Sequence, residues 1–200
     1  MKRKWLAIVG SSRPGKNTDR LVDYMLEALS TADKVVEKVY LPSEGIVTCD
    51  GCETCLTTGE CHVHDETSEL VKSLDQVEGV IFASPTYHYD MSAQMKAFLD
   101  RTFYLGFERR KAPRADKQKA IVLGVCRGTT KESMGHTVMG ISTVLSDLDM
   151  DIIDVVEYYN TKEYPVAENQ MIKDIIQQRV MNLLDAEGAR NVYQRSESVF

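Results

Sequence analysis

Short apolar runs alternate with amphipathic stretches along the chain. Lys4 to Val9 reads as the first strand, its apolar run from Leu6 to Val9 breaking off at Gly10. From about Thr18 to Ser30, Leu21, Val22, Met25, Leu26 and Leu29 return every three or four positions, as on a helix with one buried face. Val35 to Tyr40 alternates and is rich in β-branched residues, which predicts a second strand. Ser68 to Leu74 reads as a short helix and Val77 to Ala83 as a fully buried strand. Ser92 to Tyr104 reads as one helix with Met95, Phe98, Leu99 and Phe103 inward. Ala120 to Val125 is the fourth strand, and Glu132 to Leu148 a helix burying Met134, Val138, Ile141, Val144 and Leu145. Met150 to Tyr158 is the fifth strand, and Val166 to Ala186 a closing helix with Ile172, Ile175, Ile176, Val180 and Leu183.

Strands alternating with helices imply a mainly parallel sheet covered on both faces, an α/β doubly wound sandwich of five strands. Ligands in such folds bind at the carboxyl ends of the strands. The loop after the first strand is Gly10-Ser-Ser-Arg-Pro-Gly-Lys-Asn-Thr18. Its hydroxyls and the free N–H groups of the following helix start make a phosphate cradle. The loop comes within one residue of the nucleoside-triphosphatase pattern GxxxxGK[ST]. Asn17 stands where the magnesium-binding hydroxyl belongs, and the strand at 79–84 ends in Ser84-Pro85 instead of a metal-binding Asp.

Two more loops belong to the same edge. Ser84-Pro-Thr-Tyr-His-Tyr-Asp90 presents aromatic faces suited to a planar ligand. Gly124-Val-Cys-Arg-Gly128 lets the backbone approach such a ligand closely, with Arg127 offering positive charge and Cys126 reading as a buried thiol.

Composition narrows the class. Of 200 residues, 43% are hydrophobic and 27% charged, with a net charge of −6. This is a globular composition whose sign disfavours nucleic acid as a partner. No apolar run approaches a membrane span and no export signal is apparent, so a cytoplasmic location is expected. Four of the five cysteines fall at Cys49, Cys52, Cys55 and Cys61. In a chain without an export signal such a cluster reads as ligands or free thiols. Its spacing suits a cubane cluster, with zinc as the competing metal. His62 and His64 beside it read as an exposed polar turn. The basic run from Glu108 to Lys119, with Arg109, Arg110, Lys111, Arg114, Lys117 and Lys119, reads as a solvated connection.

The phosphate loop, the Pro85-Thr-Tyr-His88 segment and the run Ser92-Ala-Gln-Met-Lys-Ala-Phe-Leu-Asp-Arg101 together resemble the flavodoxin-like NAD(P)H-dependent FMN reductases over residues 4–185. The resemblance implies a three-layer sandwich of strand order 2-1-3-4-5. It implies FMN held by Ser11, Ser12, Arg13, Asn17 and Thr18 at its phosphate, and by Pro85, Thr86, Tyr87, His88, Arg127 and Gly128 around its ring. His88 and Tyr87 are the groups expected to tune that ring, with no side chain assigned as catalytic. Tyr87-His-Tyr-Asp90 departs from the Tyr-Phe-Gly or Tyr-Trp-Gly of many relatives. The cysteine block resembles that of the iron–sulfur flavoprotein branch, which implies a [4Fe–4S] cluster on Cys49, Cys52, Cys55 and Cys61. The expectation is one domain over residues 1–190 with a cysteine-rich insertion at 42–66 and a polar tail at 191–200. Electrons would pass between the cluster, NAD(P)H or ferredoxin and an acceptor through FMN. A cluster-free flavin or quinone reductase and a redox carrier or sensor are the alternatives. The resemblance also implies a homodimer or homotetramer, for which Tyr87, Tyr89, Phe103, Tyr104 and Phe107 offer an aromatic patch.

Overall fold

The structure is a computed structural model that describes residues 4–42, 44–113 and 115–186. The expected tail at 191–200 and Arg114 lie outside the described residues. Strand β1 (Lys4–Val9) leads into helix α1 (Asn17–Thr31) and strand β2 (Val35–Tyr40). A long irregular segment containing the five-residue helix α2 (Thr54–Thr58) follows, then α3 (Glu66–Ser73), β3 (Gly79–Tyr87) and the two-residue β4 (Asp90–Met91). Helices α4 (Ala93–Asp100) and α5 (Phe103–Lys111), strand β5 (Lys119–Val125), α6 (Thr137–Asp147), β6 (Asp151–Tyr158) and α7 (Gln170–Ala186) complete the chain.

The sheet runs β2-β1-β3-β5-β6 with every neighbouring pair parallel. This is the expected 2-1-3-4-5 order, with β5 and β6 as its fourth and fifth strands. Alternation along each strand sorts side chains to two faces. Leu6, Ile8, Val80, Phe82, Ala120 and Val122 pack on one side with Met95, Phe98, Leu99, Ile141 and Leu145. Trp5, Ala7, Val9, Ile81, Ala83, Ile121 and Leu123 face Leu21, Val22, Met25 and Leu29 of α1 and Ile172, Ile176 and Val180 of α7 on the other.

Four elements differ from the sequence reading. The expected helix from Ser92 to Tyr104 is two helices, because the chain turns at Arg101 and Thr102, where Thr102 Oγ1 donates to Leu99 O at 2.7 Å. The break shifts the helical register, so Phe103 is exposed and Tyr104 is buried. The stretch 132–148 is a 3₁₀ turn (Lys131–Met134) and α6, divided at Gly135. The expected loop at 84–90 instead continues β3 in register with β5 as far as Pro85↔Val125 and returns as a hairpin. The expected closing helix at 166–186 is a 3₁₀ turn (Val166–Glu168) followed by α7, and its Ile175 is exposed rather than inward.

The basic run is also only in part a connection. Its first four residues, 108–111, end α5, and Arg109 among them is buried, donating to Asp75, Gln118 and the Leu148 carbonyl. These partners lie before β3, before β5 and at the end of α6, so one guanidinium rivets three chain segments together.

Candidate functional site

The strand order reverses between β1 and β3, and the crevice there is the expected ligand position. A cleft of about 290 Å³ lies at that point. Its walls are Ser11, Arg13, Lys16, Asn17 and Thr18 from the first loop, Pro85, Thr86, Tyr87 and His88 from β3 and its turn, and Val125, Cys126 and Arg127 after β5, with Thr161 beyond β6. Three loops far apart in sequence therefore meet at one place. Ser12 and Gly128 stand beside the cleft and not in its wall. Ser12 Oγ accepts from Gln94 Nε2 at 2.9 Å, and the Gly128 carbonyl accepts from Asn160 N at 2.7 Å. Lys16 and Thr161 were not singled out by sequence. Lys16 fills the position of a phosphate-loop lysine and was legible; Thr161 reaches the cleft only because Thr161 N donates to Cys126 O.

The first loop gives its side of the cleft hydroxyl-bearing and positively charged residues. Ser11 and Thr18 are buried with their hydroxyls in the wall, and Arg13 and Lys16 supply positive charge. Asp65 and Ser92 cap α3 and α4 with their side chains, whereas no side chain caps the start of α1. Its first N–H groups therefore suit an anion. Asn17 Oδ1 accepts from Val166 N at 2.9 Å, leaving the amide nitrogen as its remaining donor.

Asp19 fixes the loop's shape. Nearly enclosed, it accepts from Gly15 N at 2.6 Å, Lys38 Nζ at 2.8 Å and Tyr40 OH at 2.6 Å. Burial alone would raise its pKa, but these three bonds outweigh burial and hold the carboxyl below its ordinary value of 3.8. Part of that charge is met by Lys38, which Asp23 shares.

The other end is aromatic. Tyr87 and His88 project from a two-residue turn, with Tyr87↔Asp90 and Thr86↔Met91 paired across it. His88 and Tyr89 both have positive φ, 49° and 68°, where glycine or asparagine normally serves. Their rings meet edge to face at 5.9 Å. The turn is held because His136 N donates to Tyr89 O at 2.8 Å and Gly135 passes directly beneath, where a Cβ would lie 2.0 Å from that oxygen. Replacing His88-Tyr89 by Asn-Gly is expected to stabilise the fold by about 1–2 kcal/mol through relief of this strain. The same change should weaken aromatic ligands, so denaturant midpoints should rise as flavin affinity falls. Cys126, buried in the opposite wall, has its pKa raised by that burial and is held as a neutral thiol.

The cysteine segment contributes nothing to this wall among the described residues. It leaves the ligand edge after Tyr40 and lies against the α4–α5 layer, where Ile46, Cys55 and Cys61 pack on the core. Cys49 and Cys52 are exposed. Burial, and then the charges of Cys61, Cys49 and Cys52, raise the Cys55 pKa, so the four sulfurs are electrostatic neighbours. Asp50, Cys52 and His62 also group their ligand atoms within 4.8 Å, with His62 Nε2 3.1 Å from Asp50 Oδ2. Four thiolates on one loop suit a cluster by donor type.

Residues 3–163 match the family model described as NADPH-dependent FMN reductase. The chain belongs to this family. Family and fold are those that the phosphate loop and the Pro85–His88 segment implied. An iron–sulfur flavoprotein of Archaeoglobus fulgidus is 40% identical over 103 residues, 52% of this chain and 47% of that protein. One from Methanocaldococcus jannaschii is 34% identical over 109 residues, 54% and 56% of the two chains. The chain thus spans about half the length of these curated relatives. Among solved structures, a flavone reductase superposes with a TM-score of 0.71 at 15% identity, covering 96% of this chain and 66% of the other. The NAD(P)H:quinone oxidoreductase of Methanothermobacter marburgensis gives 0.65 at 16% identity, covering 96% and 100%. At such identities these two similarities concern the fold. No helix among the described residues is long and apolar enough to cross a membrane.

Proposed function

We propose that this member of the FMN reductase family is an FMN-dependent reductase that uses a reduced pyridine nucleotide to reduce a small flavin or quinone acceptor. The observation that carries the reading is the cleft itself, with a dianion site and an aromatic site joined at the strand-order reversal. Ser11, Thr18, Asn17, Arg13 and Lys16 hold the FMN phosphate, and Ser12 supports that loop through Gln94. Pro85, Thr86, Tyr87 and His88 flank the ring. Arg127 places positive charge at the cleft, with Gly128 shaping its loop. Bound FMN supplies the electron-transfer chemistry; the protein supplies position, polarity and access. Thr86 is itself held, its Oγ1 2.8 Å from Thr137 Oγ1.

Protein loaded with FMN should oxidise NADPH or NADH when a quinone or free flavin is supplied, measured as nucleotide absorbance in the steady state. Retained FMN with no turnover on any such pair would overturn the reductase reading in favour of an electron carrier or sensor.

A second reading is favoured by the cysteine segment. Its four thiols and the iron–sulfur flavoproteins among its relatives support a [4Fe–4S] cluster on Cys49, Cys52, Cys55 and Cys61, exchanging electrons with FMN and a partner such as ferredoxin. Under either reading we take residues 1–190 as one domain with an insertion at 42–66, in a cytoplasmic homodimer or homotetramer. Exposed Tyr87, Tyr89 and Phe103 support that assembly, whereas Tyr104 is core.

A further inference from the structure

We propose that Arg101, at the end of α4, is the residue that closes the cysteine segment into a site and sets the charge beside it. The proposal rests on the cluster reading. Arg101 is only 3% exposed. Its Nη1 donates to Asp65 Oδ2 at 2.6 Å and to Val47 O at 3.4 Å; its Nη2 donates to Val63 O at 3.0 Å and Ser68 Oγ at 2.5 Å. Val47 lies two residues before Cys49, and Val63 two residues after Cys61. One planar fork therefore ties together the two ends of the segment that carries all four thiols, which a lysine, with its single point of charge, cannot do.

The buried Nε of the same guanidinium has no partner among the described residues. An unmet buried donor is unusual in a satisfied interior, and it leaves this guanidinium with hydrogen-bonding capacity to spare. The Val63 carbonyl that takes Nη2 at 3.0 Å lies two residues after Cys61, so the guanidinium's charge is fixed beside the end of the cysteine segment. Asp65 does double duty, capping α3 by accepting from Ser68 N at 2.9 Å. The loop's anchor is thus continuous with a helix start. Its position depends on α3 and α4 and not on the FMN cleft.

A cluster gains negative charge when it is reduced, so a fixed positive charge beside one of its thiolates favours the reduced form. Removing it should move the potential down. Arg101→Gln also leaves the Asp65 carboxylate uncompensated, which acts in the same direction. Asp65→Asn should move the potential up. Arg101→Lys keeps the charge but loses the double tie.

The test uses full-length protein reconstituted anaerobically, with iron, acid-labile sulfide, FMN and cluster potential measured in wild type and the three variants. Arg101→Gln should hold iron against a chelator about 10–100-fold less well, the range for outer partners of metal ligands. Any cluster left should have a more negative potential, with FMN affinity unchanged. Arg101→Lys should lose iron faster than wild type while keeping a near-native potential, and Asp65→Asn should show the opposite shift in potential. Native iron retention and potential in Arg101→Gln would overturn the proposal. If wild type itself takes up no iron or sulfide, the cluster reading fails, and limited proteolysis within residues 44–62 then decides the tie alone. Faster cleavage in Arg101→Gln supports it, and equal cleavage refutes it.

Discussion

Ser11→Ala combined with Thr18→Ala should weaken FMN binding by about 10²–10⁴-fold while changing riboflavin binding far less. Each hydroxyl is buried in the wall of the cleft, and Ser11 Oγ already accepts from Arg13 N at 3.3 Å, so its hydrogen is free to point at a ligand. A charge-assisted hydrogen bond contributes about 1.5–3 kcal/mol, and two such losses multiply to the stated range. Riboflavin lacks the phosphate and has nothing to lose there. Flavin fluorescence titration of both ligands against the double variant separates the outcomes, and an equal loss for the two would remove the phosphate assignment from this loop.

The second large effect is expected at Asp19. Asp19→Ala should cost about 2–4 kcal/mol of stability and also weaken FMN, although Asp19 touches no ligand. The substitution strips partners from Gly15 N and Tyr40 OH and leaves Lys38 with Asp23 as its remaining carboxylate. That retained pair keeps the cost below the roughly 3–5 kcal/mol of a fully broken buried ion pair. Its pH dependence has a definite sign. The Asp19 carboxyl is depressed below 3.8 in the folded state, so its contribution is complete above that value and is lost as pH falls through the folded-state pKa. Asp65, lowered first of all by its bond to Arg101, titrates in the same direction. Wild type should therefore lose stability steeply below about pH 4, and Asp19→Ala should show a shallower acid limb in denaturant midpoints measured against pH.

Much of the fold was legible because periodicity reports burial. Leu6 and Ile8 alternate with Ala7 and Val9, and the structure sends the two sets to opposite core clusters. All five apolar positions assigned to α1 are buried. The ligand edge was legible too, since Ser11, Arg13, Asn17, Thr18, Pro85, Thr86, Tyr87, His88 and Arg127 converge on one cleft.

What escaped notice was decided by partners remote in sequence. Nothing in the run Glu108–Lys119 distinguishes Arg109 from its neighbours; Asp75, Gln118 and Leu148 do so only after the chain has folded. The break after Asp100 falls inside an unbroken helical period, because the arginine that ends α4 is drawn to Asp65 and Ser68. The extension of β3 through Pro85 was hidden by the proline itself. Proline lacks a backbone donor but leaves parallel pairing with Val125 possible at the strand's end.

The bond from Val166 N to Asn17 Oδ1 joins positions 149 residues apart, and α7 then packs along α1. During synthesis the first loop emerges well before Val166, so its asparagine waits for this bond until the chain has reached that residue. The cradle is therefore complete only once Val166 has been made. A nascent chain that pauses near residue 160 would present an unfinished cradle, together with the part of α1 that α7 later covers, to the chaperones of the cell.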